Sequence, residues 1–121
     1  DPKNKDWTRM KFNDLYKAVS DHYPEVKLSQ FNIMYDDVQT FFFEIMGGDP
    51  TEWTEKMVAG INELTELPNF SSYIAGGHEH CILPDERIHH TRSAGVDFKD
   101  WFAELVEGAP VSNVVCIDCG E

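Results

Sequence analysis

The amino-acid sequence predicts an α/β fold, with parallel strands and helices that flank them. Apolar residues recur at helical spacing in four stretches, and two short strand-like runs lie between them. The alternation favours crossover connections onto a parallel sheet over a self-contained helical bundle. With 121 residues and no internal repeat, the chain is expected to form a single segment over residues 1–121.

The first half of the chain predicts a helix, a strand and a second helix. The first helix is expected over about residues 8–22, where apolar residues share one stripe before a proline. The strand is expected over residues 26–33 and leads into two aspartates at 36–37. A strongly amphipathic helix then runs to the Gly-Gly-Asp-Pro sequence at 47–50. Its apolar stripe comprises Val38, Phe41, Phe42, Ile45 and Met46.

The second half predicts a helix, a strand, a loop and a final helix. A third helix opens at Thr51 and ends before Pro68, and the β-prone run 70–75 follows it. The strand enters a Gly-Gly loop, whose permissive backbone suits a sharp turn. After an irregular stretch at 82–96, a last amphipathic helix spans about 98–106. The core is expected to include Phe41, Phe42, Trp101 and Phe102 on the helix stripes, whereas Phe43 lies off its stripe.

Two strands alone cannot make a sheet that is covered on both faces. One interpretation is a small α-rich domain with a modest sheet. The other is the carboxyl-terminal part of a larger α/β protein that is incomplete without an amino-terminal segment. The polar start at residues 1–6 has no signal-peptide pattern, and a mature chain that begins after a cut would look the same.

The charge of the chain excludes some classes of partner. There are 22 acidic and 10 basic side chains, so the formal net charge is -12, the wrong sign for gripping a phosphate backbone. Direct nucleic-acid binding is therefore not expected. No apolar run approaches the roughly 20 residues that span a bilayer, so no membrane span is expected either.

Titratable residues follow both predicted strands. Asp36 and Asp37 follow the first strand, and His78 and His80 follow the second. In doubly wound sheets, functional groups collect beyond the carboxyl ends of strands. A carboxylate that orients an imidazole forms the base half of a nucleophilic triad. The nucleophile itself is missing, because none of the six serines lies in a G-x-S-x-G sequence.

Several blocks together resemble a known family. They are Gln-Phe-Asn-Ile-Met-Tyr-Asp-Asp-Val-Gln-Thr-Phe-Phe at 30–42, Tyr-Ile-Ala-Gly-Gly-His-Glu-His-Cys-Ile-Leu at 73–83, Val-Asp-Phe-Lys-Asp-Trp at 96–101, and the Cys-Ile-Asp-Cys-Gly ending. In order and spacing they resemble the carboxyl-terminal third of the pectin acetylesterase and Notum carboxylesterase family, particularly its bacterial-type members. The resemblance extends from about Asp14 to the end of the chain.

The resemblance implies an α/β-hydrolase-like fold and serine esterase chemistry without a cofactor. It implies that Asp36 is the triad acid and His80 the triad histidine, with the serine and the oxyanion-hole donors upstream of residue 1. The implied partner is therefore an amino-terminal chain or segment that carries the serine. The implied substrate is an O-acetyl ester of a carbohydrate or a small ester, and the implied location is secreted or extracytoplasmic.

Each site residue has an alternative interpretation. An acidic residue at the start of an amphipathic helix is often an N-cap, and we expect Asp37 to take that role. His80 has a solvated loop histidine as its alternative, and His78 is the second choice for the triad base. A non-catalytic binding or structural subunit with a degenerate hydrolase half-fold is the alternative function, because the nucleophile is absent from the sequence.

The three cysteines leave two interpretations open. Cys81, Cys116 and Cys119 are an odd number, so an internal disulfide leaves one thiol over. In a secreted esterase, Cys81 is expected to pair with Cys116 or Cys119, or the tail is expected to pair upstream. Together with His78 and His80, the same cysteines could instead bind zinc. We nevertheless expect the chain to bind no metal.

Overall fold

Two six-residue strands lie side by side at the centre of the molecule. The computed structural model describes residues 10–120. In chain order its elements are α1 (Phe12–His22), β1 (Leu28–Ile33), α2 (Asp37–Ile45), α3 (Trp53–Leu64), β2 (Phe70–Ala75), β3 (Arg92–Ser93), β4 (Val96–Asp97), α4 (Phe98–Val106) and β5 (Val114–Val115). Two single-turn 3-10 helices, Pro50–Glu52 and Glu86–His89, lie between them.

The main sheet is parallel and has the strand order β1-β2-β5. Leu28 lies opposite Phe70 at one end of the β1-β2 pair, and Ile33 lies opposite Ala75 at the other. The predicted α/β class, with parallel strands and flanking helices, is therefore confirmed.

Alternate residues of each strand point to opposite faces of the sheet, so two apolar cores form. Helix α4 covers one face with Phe98 and Trp101. Helices α1 and α3 cover the other, where the amide of Asn13 donates a hydrogen bond of 3.0 Å to Gly60 O. The first core comprises Ile33, Tyr73, Ala75, Ile82, Phe98, Trp101 and Val114. The second comprises Met34, Ile61, Leu64, Phe70 and Ile74.

The stretch predicted to be irregular contains an additional hairpin. Strands β3 and β4 pair antiparallel, with Ser93 opposite Val96. Ala94 and Gly95 form the two-residue turn, and both have positive φ angles, of 48° and 80°. Positive φ at both turn positions matches the twist that a two-residue hairpin needs. The hairpin follows the loop that carries the histidines.

Helix α2 differs most from its expected packing. The expectation that Phe41 and Phe42 are core residues is wrong, since they are 57% and 54% exposed. No residue of α2 is buried. Phe43, which lies off the predicted stripe, packs against Gly48. Trp101 is buried as predicted, and Phe102 packs against the same core.

The starts of α1 and β1 differ by a few residues from those that the sequence predicts. Helix α1 begins at Phe12 rather than near residue 8, and residues 8–9 lie outside the described part of the chain. Strand β1 begins at Leu28 rather than Val26 because the residues before it turn instead of pairing. Over residues 10–120, no helix has both the length and the apolar character that a bilayer crossing requires.

Candidate active site

The parallel register of β1 and β2 continues into the loops that follow them. Met34 N donates to Ala75 O at 2.8 Å, just past the last paired residues. Tyr35 N then donates to Gly77 O at 3.1 Å, and Asp37 N donates to His78 O at 3.0 Å. The two loops therefore run side by side. This arrangement brings the aspartates of one loop against the histidines of the other.

Asp36 makes two different interactions with its two carboxylate oxygens. Oδ1 accepts a hydrogen bond of 2.9 Å from Gln39 N, which makes Asp36 the N-cap of α2. Oδ2 lies 2.8 Å from Nδ1 of His80. Asp36 is only 5% exposed, so its carboxylate is held away from bulk water. Capping and pairing with histidine are thus combined in one residue, and the expectation that Asp37 is the cap is wrong.

The two ring nitrogens of His80 differ, because only Nδ1 contacts the Asp36 carboxylate. Its side chain is 34% exposed. Because a carboxylate accepts at Nδ1, the neutral ring carries its proton there and leaves the lone pair on Nε2. Among residues 10–120, only Nδ1 of this ring has a hydrogen-bond partner. A carboxylate-oriented imidazole with an available Nε2 is the geometry of a general base.

Arg87 holds the backbone of the loop that carries His80. Nη2 of Arg87 donates a hydrogen bond of 3.2 Å to the backbone oxygen of His80. Arg87 also forms an ion pair with Asp85, at 3.2 Å. Cys81, the next residue along the chain, has a φ of 62°, a conformation that is uncommon for residues other than glycine. Arg87 was not predicted as a site residue, because its contact is with backbone and leaves no sequence pattern.

A second aspartate-histidine pair lies beside the first. Nδ1 of His78 is 3.2 Å from Oδ1 of Asp37. The two side chains are 49% and 76% exposed, so solvent screens their attraction. The structure thus brings together all four predicted side chains but as two pairs, one shielded and one open. The shielded Asp36–His80 pair is the better oriented of the two.

No serine completes a triad within the described residues. Ser20 bonds to Asn69, and Oγ of Ser93 donates to Ile74 O at 2.8 Å. Oγ of Ser72 is buried and has no partner among the described residues. The other serines, in the strands and before β5, make no hydrogen bond with His80 over residues 10–120. This part of the chain brings a carboxylate and an imidazole together without an aligned hydroxyl group.

The cysteines pair differently from the expectation. Cys116 and Cys119 form a disulfide, and Cys81 is an exposed free thiol, so the expected pairing of Cys81 with the tail is wrong. The physical reason is the local course of the tail. Cys116 N donates to Ile74 O at 3.1 Å and Gly77 N donates to Cys119 O at 2.8 Å, which folds the two tail cysteines together on β2.

The disulfide also removes the basis of the zinc alternative. Two of its five candidate ligands, Cys116 and Cys119, are covalently joined instead of being thiolates. Within residues 10–120, no three side chains of His, Cys, Asp or Glu are grouped as a metal site would need.

An open cleft adjoins the histidine loop at the carboxyl end of β2. It has a volume of about 710 Å³. Its wall includes Gly76, Gly77, Glu79, Arg87 and Arg92. Arg87 therefore both lines the cleft and donates to the backbone oxygen of His80.

Comparisons of the chain with models of protein families, with curated proteins and with solved structures found no match.

Proposed function

We propose that this chain supplies the acid and the base of a serine carboxylesterase with an α/β-hydrolase-like fold. The observation that carries the proposal is the contact of 2.8 Å between the buried carboxylate of Asp36 and Nδ1 of His80. Their position beyond the carboxyl ends of two neighbouring parallel strands supports it, because such loops hold the functional groups of doubly wound sheets. The resemblance to the pectin acetylesterase and Notum family gives the same two residues.

The proposed reaction is acyl transfer in two steps. Nε2 of His80 takes the proton of a serine hydroxyl as its oxygen attacks the ester carbonyl, and Asp36 stabilises the imidazolium that forms. His80 then gives that proton to the departing alcohol, which leaves an acyl-serine. Water attacks the acyl-serine with His80 again as base, and the proton returns to the serine oxygen. The carboxylic acid is released and the site is restored.

The serine and the oxyanion-hole donors are supplied by an amino-terminal segment or a partner chain in this proposal. The substrate class is an O-acetyl ester of a carbohydrate or a small ester, which rests on the family resemblance alone. The net charge of -12 favours a neutral substrate over a polyanion. A secreted or extracytoplasmic location is supported by the Cys116–Cys119 disulfide, since disulfides persist in oxidising compartments.

The decisive experiment treats the natively purified protein with a fluorophosphonate probe for activated serines. All chains are then resolved by mass spectrometry with and without reduction. We expect labelling of a serine on the segment that accompanies this chain. We expect the variant His80→Ala to abolish labelling and ester hydrolysis, whereas the matched variant His78→Ala retains both. Equal loss in the two variants, or no labelling of the natural protein, would contradict the proposal.

A second candidate function is a non-catalytic binding or structural subunit. The exposed apolar side chains of α2 favour it, because such patches mark interaction surfaces whether or not chemistry follows. The same experiment separates the two candidates. A partner that copurifies without any serine labelling would identify a binding subunit.

A further inference from the structure

The disulfide between Cys116 and Cys119 borders the open cleft at the carboxyl end of β2. We name residues 116–119 the tail turn. The two residues between the cysteines are exposed, Ile117 by 88%, and the cysteines themselves are only partly buried. The tail turn therefore lies where a soluble thiol can approach it, at the margin of the second core rather than inside it.

The disulfide restricts only a short stretch of chain. Because two residues separate the cysteines, the bond removes little conformational freedom from the unfolded chain and contributes only modestly to the stability of the whole fold. The C-x-x-C spacing is also that of dithiols that open and close in redox proteins, since each thiol stays within reach of the other. The bond is therefore expected to act locally, and its opening should leave the fold intact.

The closed tail turn holds one backbone oxygen against the Gly-Gly loop after β2. Cys119 O accepts a hydrogen bond of 2.8 Å from Gly77 N. A Cβ at Gly76 would lie 2.6 Å from the same oxygen, so the two backbones are in direct contact. Cys116 is tied to β2 separately, since its N donates to Ile74 O at 3.1 Å. Within residues 10–120, Cys119 has no other hydrogen bond to residues before the tail turn, so the disulfide is the main restraint on its position.

Gly77 connects the tail turn to the candidate active site. Its N–H donates to Cys119 O, and its own backbone oxygen accepts a hydrogen bond of 3.1 Å from Tyr35 N. Tyr35 immediately precedes Asp36, whose carboxylate lies 2.8 Å from Nδ1 of His80. The φ of Gly77 is 100°, in a region that glycine enters freely, and neither glycine has a side chain to anchor the loop. The hydrogen bond from the tail turn therefore restrains the loop that leads to His80.

We propose that the Cys116–Cys119 disulfide is a redox-modification site, and that its reduction by a small dithiol loosens the Asp36–His80 pair. Once the bond is open, Cys119 O separates from Gly77 N, and the loop that leads to His80 gains conformational freedom. This structural change does not depend on the proposed function, whereas its effect on ester hydrolysis rests on it.

The redox step is a thiol–disulfide exchange. A thiolate of the dithiol attacks one cysteine sulfur of the tail turn, the S–S bond breaks, and the other cysteine leaves as a thiolate that takes up a proton. The second thiol of the reagent then attacks the mixed disulfide and releases the first cysteine as well. The two cysteines gain two electrons and two protons, and the dithiol becomes a disulfide.

The test measures amide hydrogen exchange and amide chemical shifts in the natively purified protein before and after treatment with dithiothreitol. We expect the amides of Gly77 and Tyr35 to exchange at least about tenfold faster after reduction, because they lose their restraint. The amide chemical shifts of α3 and α4 should stay the same, since the fold remains intact. Unchanged exchange at Gly77, in protein whose mass shows the disulfide to be reduced, would overturn the inference. Loss of the native shifts throughout α3 and α4 would also overturn it, because the bond would then support the whole fold.

Two sets of cysteine variants separate the disulfide from the free thiol. The double variant Cys116→Ser with Cys119→Ser cannot close the bond, so it should show the fast Gly77 exchange with and without dithiothreitol. Cys81→Ser is the matched control, because Cys81 is an exposed thiol outside the disulfide. It should respond to dithiothreitol as the natural protein does. A double variant with the slow exchange of the oxidised natural protein would refute the role of the bond.

The state of the Asp36–His80 pair is measured through the proton on Nδ1 of His80. While the carboxylate holds that proton, it should give a low-field NMR signal that is absent from Asp36→Ala. We expect reduction to broaden or remove this signal and to lower ester hydrolysis on the order of tenfold. A signal that is unchanged after reduction would overturn the coupling to the site. Loss of the signal on reduction in a protein that hydrolyses no ester would overturn the proposed function and leave this inference standing.

Discussion

Nδ1 of His80 lies 2.8 Å from Oδ2 of Asp36 across 44 positions of sequence. The contact depends on the β1-β2 register, because each residue follows one of the two paired strands by only a few positions. The other oxygen of the same carboxylate caps α2, so the helix start fixes the position of the acid. The start of α2 and the orientation of the His80 ring are therefore coupled through the side chain of Asp36.

Two substitutions at Asp36 should separate its two roles. Asparagine is as good an N-cap as aspartate, so we expect Asp36→Asn to change the free energy of unfolding by less than about 0.5 kcal/mol. The same change should reduce ester hydrolysis on the order of a thousandfold or more, because an amide no longer holds the required tautomer or stabilises the imidazolium. Urea unfolding and steady-state hydrolysis by the natively assembled protein measure the two effects.

Asp36→Ala should lose both roles, with an additional cost of about 1 kcal/mol for the missing cap. Asp37→Asn is the matched control, since it alters only the exposed pair with His78. If the Asp37 variant lost as much activity as the Asp36 variant, the assignment of the acid would be wrong.

Ionisation of Tyr73 should make the free energy of unfolding depend on pH in the alkaline range. Its side chain is fully buried and its hydroxyl donates a hydrogen bond of 2.5 Å to Val96 O. Burial raises the pKa of Tyr73 to about 12 from 10.0. Below pH 10 the phenol is protonated in both folded and unfolded chains, and its stabilisation is complete. Between pH 10 and 12 only the unfolded chain releases the proton, so up to about 3 kcal/mol of stability is lost.

Tyr73→Phe provides the comparison for this prediction. At pH 8 the variant should be less stable by about 1 kcal/mol, because Val96 O loses its partner. Near pH 12 the order should reverse, since phenylalanine cannot ionise in the unfolded chain. Urea unfolding of both proteins at several pH values measures the crossing, and parallel pH profiles would count against the buried, bonded phenol.

The three cysteines should react unequally with a thiol reagent. Iodoacetamide should modify Cys81 alone in the folded, unreduced protein and all three cysteines after reduction and unfolding. Intact mass gives the number of groups added. Reduction alone should lower the free energy of unfolding by about 1 to 2 kcal/mol, since the disulfide closes a very short loop. Modification at Cys116 or Cys119 before reduction would show that the tail is not joined as described.

Two glycines should respond to alanine in opposite directions. A Cβ at Gly76 would lie 2.6 Å from the backbone oxygen of Cys119, so Gly76→Ala must displace the tail at a cost of about 2 kcal/mol. A Cβ at Gly60 would lie 3.5 Å from Asn13, an ordinary contact inside α3. Gly60→Ala should therefore stabilise the protein by about 0.5 to 1 kcal/mol. Thermal unfolding of the two variants checks both signs.

The long helices and strands could be predicted from the sequence because each is long enough for the spacing of its apolar residues to be recognised. Helix α3 and strand β2 were located closely for this reason. Strand β5, with two residues, and the β3-β4 hairpin are too short to show alternation, although the Gly95 turn was a usable signal. The exposure of α2 could not be predicted, because periodicity identifies an apolar face but not what covers it.

The sequence predicts which side chains form the candidate site, but it does not determine which aspartate contacts which histidine. That Asp36, Asp37, His78 and His80 meet follows from two strands that end together. Which aspartate contacts which histidine depends on side-chain direction within two adjacent loops. The cap at Asp36 was misassigned for the same reason, since either aspartate could precede the first turn. The disulfide was misassigned because the path of the tail along β2 leaves no mark in the sequence.

The separation of β1 and β2 along the chain has a consequence for how the molecule folds. Leu28 pairs with Phe70, so the segment that contains α2 and α3 forms a long loop that must close before β1 and β2 can pair. Contacts between distant residues form slowly, because the entropy of closing the intervening loop is lost before any bond is gained. The helices should therefore gain structure ahead of the sheet during refolding. The Asp36–His80 contact needs the β1-β2 ladder, so its appearance during refolding should report that β1 and β2 have paired.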